Sequence, residues 1–217
     1  MQYVIQEGER DDRSIATEIA RALGRRIVTG AIAPGEWLRQ DHVAEEFRAS
    51  HVPVREAFRR LEAQGLVQSE PRRGVRVAPL DPATVREATE MRAALEVLAL
   101  REALPLITPD DLAEAARAIA ATEASCEPAV WEEANRRFHR ALTAPCRMPR
   151  LLATIDDLHR VSARYFYATW KGLEWGPRSE GEHRAILETV RAGDGEAAVN
   201  LLIAHIVEAG RALVRTL

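Results

Sequence analysis

The chain of 217 residues has only two cysteines, Cys126 and Cys146, and they match no CxxC spacing. They read as reduced structural thiols of a cytosolic protein, not as a disulfide framework. No run of about 18 apolar residues stands out, so no membrane span is expected. The opening stretch MQYVIQEGERDDRS is polar and acidic. It lacks the basic-then-apolar order of a secretion signal. Internal repeats and low-complexity tracts are also missing. So are the signatures of hydrolytic and nucleotide chemistry: there is no HExxH, no G-x-S-x-G and no Walker-type glycine loop. A catalytic zinc would need an open position and a nearby general base, and no motif supplies them, so an enzyme is not expected.

A strong net charge is missing as well. The balance is −3 overall, from 30 Lys+Arg against 33 Asp+Glu. It is uneven along the chain. Residues 1–78 carry 13 Arg and 12 Asp+Glu, net +1, and the remainder 17 Lys+Arg and 21 Asp+Glu, net −4. Within 48–76, seven Arg face three Glu, net +4. One short segment therefore carries a nucleic-acid signal that the whole does not. A hydrophobic content of 47% supports a folded globular chain.

The first 78 residues read helix, helix, helix, hairpin. Ser14 can cap a helix with Ile15, Ile19, Leu23 and Ile27 at helical spacing, ended by Gly30. A short helix over 40–47 buries Val43, Ala44 and Phe47. After the turn at Arg48-Ala49 comes SHVPVREAFRRLEA (50–63), and then two brief β runs, Leu66-Val67 and Val75-Arg76-Val77, around the turn 69–74. From Asp81 onward the pattern is all helical. Starts are marked at Asp81-Pro82, Thr108-Pro109, Glu127-Pro128, Pro149, Ser179 and Asp194, which gives about six helices. The expected fold is mainly α: a winged helix-turn-helix over 1–78, then an all-helical bundle over 79–217, with PLDP (79–82) at the boundary.

In the third helix Val54, Ala57, Phe58 and Leu61 form the buried stripe, while His51, Arg55 and Arg59, spaced by four, share another face. Ser50 is a suitable N-cap, and Pro53 falls in the first turn, where its missing N–H does no harm. The free N–H groups at such a helix start suit a phosphate. The hairpin adds Arg72, Arg73 and Arg76, and Gly74 lets the backbone approach a groove closely. Alone, the helix could be an amphipathic element with a solvated charged face. The order of helix, tight turn, capped basic helix and Arg-Arg-Gly wing favours DNA.

The segments TGAIAPGEWL (29–38), SHVPVREAFRRLEAQGLV (50–67) and PRRGVRV (71–77) resemble the DNA-binding domain of GntR-type bacterial transcription regulators. The resemblance implies that Ser50, His51, Val52 and Arg55 lie at the reading positions, with Arg73 and Gly74 at the wing tip. Arg48 stands where the family usually has Gly, and His51 where it usually has Arg. His lacks the forked contact that Arg makes with guanine, so an operator different from the usual one is expected.

Six histidines occur. His42 and His51 belong to the first half and His139, His159, His183 and His205 to the second. Imidazoles from three helices could build a metal site in a bundle core, although spacing alone does not make the helices converge. The segments MRAALE (91–96), NRRFHRAL (135–142), EHRAIL (182–187), RAGDGEAA (191–198) and AHI (204–206) resemble the FCD effector domain of the FadR-like branch of that family. By that resemblance the metal set is Asn135, His139, His183 and His205, with Asn135 where metal-binding members have Asp. The ion would be divalent, Zn or Ni. His159 matches no ligand position and is expected to be structural or exposed, and Glu182 is a candidate partner for a ligating His. Arg92 and Arg164 are candidates for pairing with a carboxylate effector. The partners implied are double-stranded operator DNA, a small organic acid and a second copy of the chain, and no membrane. Two other readings stay open: a regulator whose effector is the metal itself, and a DNA-binding dimer with a vestigial ligand domain.

Overall fold

The computed structural model describes residues 7–71, 73–172 and 176–217. The chain divides into two compact units, one running to Leu80 and the other from Asp81 to Leu217.

The first unit contains α1 (Glu7–Val28), β1 (Trp37–Leu38), α2 (Gln40–Phe47), α3 (His51–Ala63), β2 (Val67–Glu70) and β3 (Gly74–Val77). Ser14 lies inside α1 and caps nothing, because the upstream residues, with several Glu and Arg, already favour helix. Ile19, Leu23 and Ile27 of α1 pack with Val54 and Leu61 of α3 and Val67 and Val77 of the sheet. Each such side chain, fully buried, contributes about 1.5–3 kcal/mol. The hairpin pairs Val67 with Val77 and Glu70 with Gly74 in antiparallel register. The wing is more than this two-stranded hairpin. β1 pairs on the other edge of β3, Trp37 opposite Arg76, and the Gly35 N–H donates to the Val77 carbonyl at 2.9 Å. A two-residue strand carries too little periodicity to be legible in the sequence.

The second unit holds α4 (Pro82–Ala103), α5 (Pro109–Glu123), α6 (Pro128–Thr143), α7 (Pro149–Thr169), α8 (Gly176–Arg191) and α9 (Gly195–Thr216), with short 3-10 turns between some of them. Four of the six start on the marked prolines. Asp81 and Asp194 accept backbone N–H bonds as caps, and Thr108 with Asp111 closes a full capping box. α8 starts three residues before Ser179, which is therefore interior. The core joins Leu100, Phe138, Leu142, Ile186, Leu202 and Ile206 from α4, α6, α8 and α9. α4 lies along α9 so closely at Gly210 that an added Cβ would overlap the Thr89 side chain. Among the described residues α9 is the helix long and apolar enough to cross a membrane. Its Val199, Leu202, Ile206 and Leu213 are buried in the domain instead, as in the core helix of a globular protein.

Candidate functional site

Two places bring the candidate residues together. The first is a groove of about 670 Å³ between α3, the start of α2 and the wing. Arg39, Gln40 and Asp41 line it from the α2 side, Arg55, Phe58 and Arg59 from α3, and Ser69, Arg73 and Gly74 from the wing. Arg39, Arg55 and Arg59 form no ion pair among the described residues, so their charge remains available to an anion. Gly74 has φ +110°, which only glycine adopts without strain. Ser50 occupies the N-cap of α3 with an extended backbone, yet its side chain makes no capping bond. Val52 is exposed at the helix start. His51 points its Nε2 at Asp41 Oδ1, 3.3 Å away, and accepts a bond from Gln40 Nε2 on its carbonyl. Arg48 closes α2 at φ 50°, ψ 41°, a left-handed conformation that explains the preference for Gly there. Arg72 lies outside the described residues.

The second place is buried in the helical unit. His139 (α6), His183 (α8) and His205 (α9) converge, with one ring nitrogen of each within 4.8 Å of the others. His183 Nε2 and His205 Nε2 are 3.1 Å apart. Two carboxylates fix the rings from behind. Glu96 Oε2 lies 2.7 Å from His139 Nδ1, and Glu182 Oε2 lies 2.9 Å from His205 Nδ1. A carboxylate can only accept, so both Nδ1 atoms carry the proton and both Nε2 atoms present a lone pair. Among the described residues His139 Nε2 is buried with no partner, and so is His183 Nδ1. Ser179 Oγ, one turn before His183 on α8, is a third such atom. Unpartnered buried nitrogens are costly, and a cation held between the three rings would satisfy the one on His139. The donor set fits a divalent ion.

The imidazoles are neutral for physical reasons. Burial pushes His183 well below its ordinary value, and the neighbouring His205 and His139 add to this. Burial likewise lowers His205, to about 4, against a smaller opposing pull from Glu182. Burial lowers His139 and His159, Glu96 restoring part of the shift. For Glu96 itself burial acts upward, but the charge of Arg92 and the ring N–H groups of His139 and His159 outweigh it and hold the carboxyl well below its usual range. Arg92 is the permanently charged member of that set. Its Nε lies 2.9 Å from Glu96 Oε1, and its Nη1 donates to Ser162 Oγ at 3.3 Å. His159 is neither exposed nor idle. It is buried on α7 with Nε2 3.1 Å from Glu96 Oε1. Glu96, His139 and His159 also satisfy the spacing of a metal group. Because Arg92 already holds the carboxylate and His139 Nδ1 is bonded to it, this trio orients the three-His cluster and is a poor cation site.

Beside the cluster lies a cavity of about 50 Å³, lined in part by Arg92, Glu132, Asn135, His139, His159 and Ser162. That is far below the roughly 300–1,000 Å³ of a typical drug-sized pocket. Trp131 and Phe166, stacked at 5.0 Å, form an aromatic wall. Asn135 is on this wall, one turn before His139. Arg164 is buried on α7 but is not among the lining residues, so the structure brings Arg92 to the cavity and leaves Arg164 elsewhere. Sequence reasoning missed Glu96 and Glu132 as site residues. Glu96 ends the segment 91–96 and Glu132 lies just before 135–142, and only the helix phase relative to His139 could have drawn attention to them.

A winged helix-turn-helix head with unpaired arginines, joined to a helical domain with a buried ligand-type cluster, defines a DNA-binding transcription regulator. Residues 15–77 match the family of bacterial regulatory proteins, gntR family, and residues 87–208 match the FCD domain. The chain belongs to the gntR family of transcriptional regulators, in the group that carries an FCD domain. It is similar to the HTH-type transcriptional repressor RspR of Escherichia coli K12, 29% identical over 88% of this chain and 85% of that one. It is also similar to the galactonate operon transcriptional repressor of the same organism, 28% identical over 94% and 96%. The solved structure of E. coli McbR/YncC shares the fold, with a TM-score of 0.78 at 23% identity over 93% of this chain and 97% of that one. The family is one of DNA-binding regulators and not of enzymes.

Proposed function

We propose that the protein is a homodimeric cytoplasmic repressor whose grip on a pseudo-palindromic operator is set by a small carboxylate bound next to a metal ion in the helical domain. Ser50, His51, Val52, Arg55 and Arg59 would meet the major groove and its phosphates, with Arg72, Arg73 and Gly74 at the wing. His139, His183 and His205 would hold a divalent ion, Zn or Ni by the imidazole donors, with Asn135 adjoining. Such an ion supplies positive charge for an acid group. Arg92 would contribute its remaining N–H donors, and Glu96 and Glu182 keep the ligand nitrogens aimed.

The observation that carries this reading is the buried, unpartnered His139 Nε2 facing two further imidazoles. One relative is named for the galactonate operon, and galactonate is a carboxylate. A coupling of about 1–3 kcal/mol between effector and operator would suffice for regulation.

A second reading, in which the metal itself is the effector, draws support from the small cavity and from the engagement of Arg92 by Glu96. Metal content of the purified protein, followed by fluorescence-anisotropy binding to operator DNA with organic acids or with a chelator, separates the two. Release or tightening by an acid supports the first reading. A response to chelator alone supports the second. Indifference to both leaves a DNA-binding dimer with a vestigial ligand domain.

A further inference from the structure

Two of the three clustered imidazoles have a carboxylate behind them, Glu96 for His139 and Glu182 for His205. His183 is different. Its Nδ1 is buried and meets no hydrogen-bond partner among the described residues. Its Nε2 lies 3.1 Å from His205 Nε2. Burial keeps both rings neutral. Two nitrogens that close are held together by a proton or by a shared cation, because two bare lone pairs would repel. His205 has its proton on Nδ1, toward Glu182. A proton between the two rings therefore sits on His183 Nε2, and His183 Nδ1 is then bare.

A cation between the rings demands the other tautomer. A neutral imidazole ligates through its unprotonated nitrogen, so the His183 proton must then sit on Nδ1. In either case a buried atom of His183 needs a partner, a donor for the bare Nδ1 or an acceptor for its N–H, and leaving it unmet is costly. Ser179 stands four residues earlier on the same helix, α8. Its Oγ is fully buried and also has no partner among the described residues. Side chains four apart lie one above the other on a helix face. A hydroxyl suits this position as a carboxylate would not. It donates to a bare Nδ1 and accepts from a protonated one, whereas a carboxylate only accepts and would favour a single tautomer.

We infer that Ser179 is the positioning residue behind His183. By rotating about its Cα–Cβ bond its hydroxyl meets Nδ1, donating when the ring is protonated on Nε2 and accepting when a divalent ion takes Nε2. His183 is then the one ring of the three that exchanges tautomers as the metal comes and goes. The exchange leaves the net charge of the ring unchanged, since the proton lost from Nε2 is regained at Nδ1. The inference rests on the metal site proposed above and adds the support of its third imidazole.

The full-length protein, stripped with a chelator and reloaded with zinc, tests it. Long-range proton–nitrogen NMR on isotope-labelled histidines should show His183 protonated on Nε2 without zinc and on Nδ1 with it. His139 and His205 should stay protonated on Nδ1 in both states. Ser179→Ala should weaken zinc binding about 10–100-fold in competition with a chromogenic chelator. Ser179→Thr, which keeps the hydroxyl, should recover most of that affinity. The NMR reading on the unaltered chain serves if the variants fail to fold. A His183 protonated on the same nitrogen with and without zinc overturns the inference. Undiminished zinc affinity in Ser179→Ala also overturns it and leaves the metal site standing. Equal losses in the Ala and Thr variants mark a packing role and overturn it too. If the unaltered chain takes up no zinc, the metal site itself fails, and the inference with it.

Discussion

Glu96 Oε2 lies 2.7 Å from His139 Nδ1, while Glu96 Oε1 is shared between Arg92 Nε at 2.9 Å and His159 Nε2 at 3.1 Å. One buried carboxylate thus ties α4 to α6 and α7 and orients a ligand-type imidazole. Replacing it leaves Arg92 buried without its counter-charge. Glu96→Ala should cost about 3–5 kcal/mol of stability. Glu96→Gln should weaken metal binding about 10–100-fold through the misaimed His139. Denaturant unfolding and competition with a chromogenic chelator measure the two effects.

The reading face should show itself in salt dependence. Arg55 and Arg59 line the groove without an internal counter-charge. Each Arg→Ala change that removes a phosphate contact should lower the slope of log K against log salt by about 0.9. His51→Arg should instead change base preference, favouring guanine at the position it faces by about 1–3 kcal/mol. Anisotropy titrations at several salt concentrations and on operator variants distinguish these outcomes.

Acid should destabilise the metal-free protein. The folded state holds His205 near 4, below its ordinary 6.5, and lowers His183 as well. The unfolded chain therefore takes up protons first as the pH falls. The stability that the neutral rings represent is complete above about 6.5 and is lost progressively toward 4. Urea midpoints at pH 7, 6 and 5 should fall in that order, and a flat profile would refute the assignment of neutral buried rings.

The left-handed Arg48 offers a stabilising change. Arg48→Gly removes the side-chain penalty of φ 50°, partly offset by the greater freedom of glycine in the unfolded chain, for a net gain of about 1 kcal/mol or less. A rise in melting temperature checks it. Gly210→Ala should do the reverse, because its Cβ overlaps Thr89 across the α4–α9 contact. A loss of about 1–3 kcal/mol is expected, relieved in part by pairing it with Thr89→Ala.

Much of this architecture is legible in the sequence. Proline in the first turn marks the starts of α4 to α7, because its fixed φ suits that position and its missing N–H goes unneeded. The α3 stripe of Val54, Ala57, Phe58 and Leu61 is buried as its spacing requires. Serine proved the weaker signal. Ser14 and Ser179 both look like caps and both lie within helices, since a cap residue acts only where the chain upstream is not already helical. The convergence of His139, His183 and His205 could not be read from spacing. Three helices meet according to how they pack, and nothing local records it. Glu96 and Glu132 were hidden for the same reason, and spacing could not tell Arg92, which reaches the cavity, from Arg164, which is buried on α7.

Arg92 has a carboxylate of the protein's own already in its grasp. A cavity whose arginine is already paired does not concentrate anions from solution by itself. Under the proposed metal-assisted acid site, a response would require both acid and metal, and a cell rich in the acid but starved of metal would leave the regulator as it was. On that reading the Arg92–Glu96 ion pair would turn the chamber into a coincidence detector.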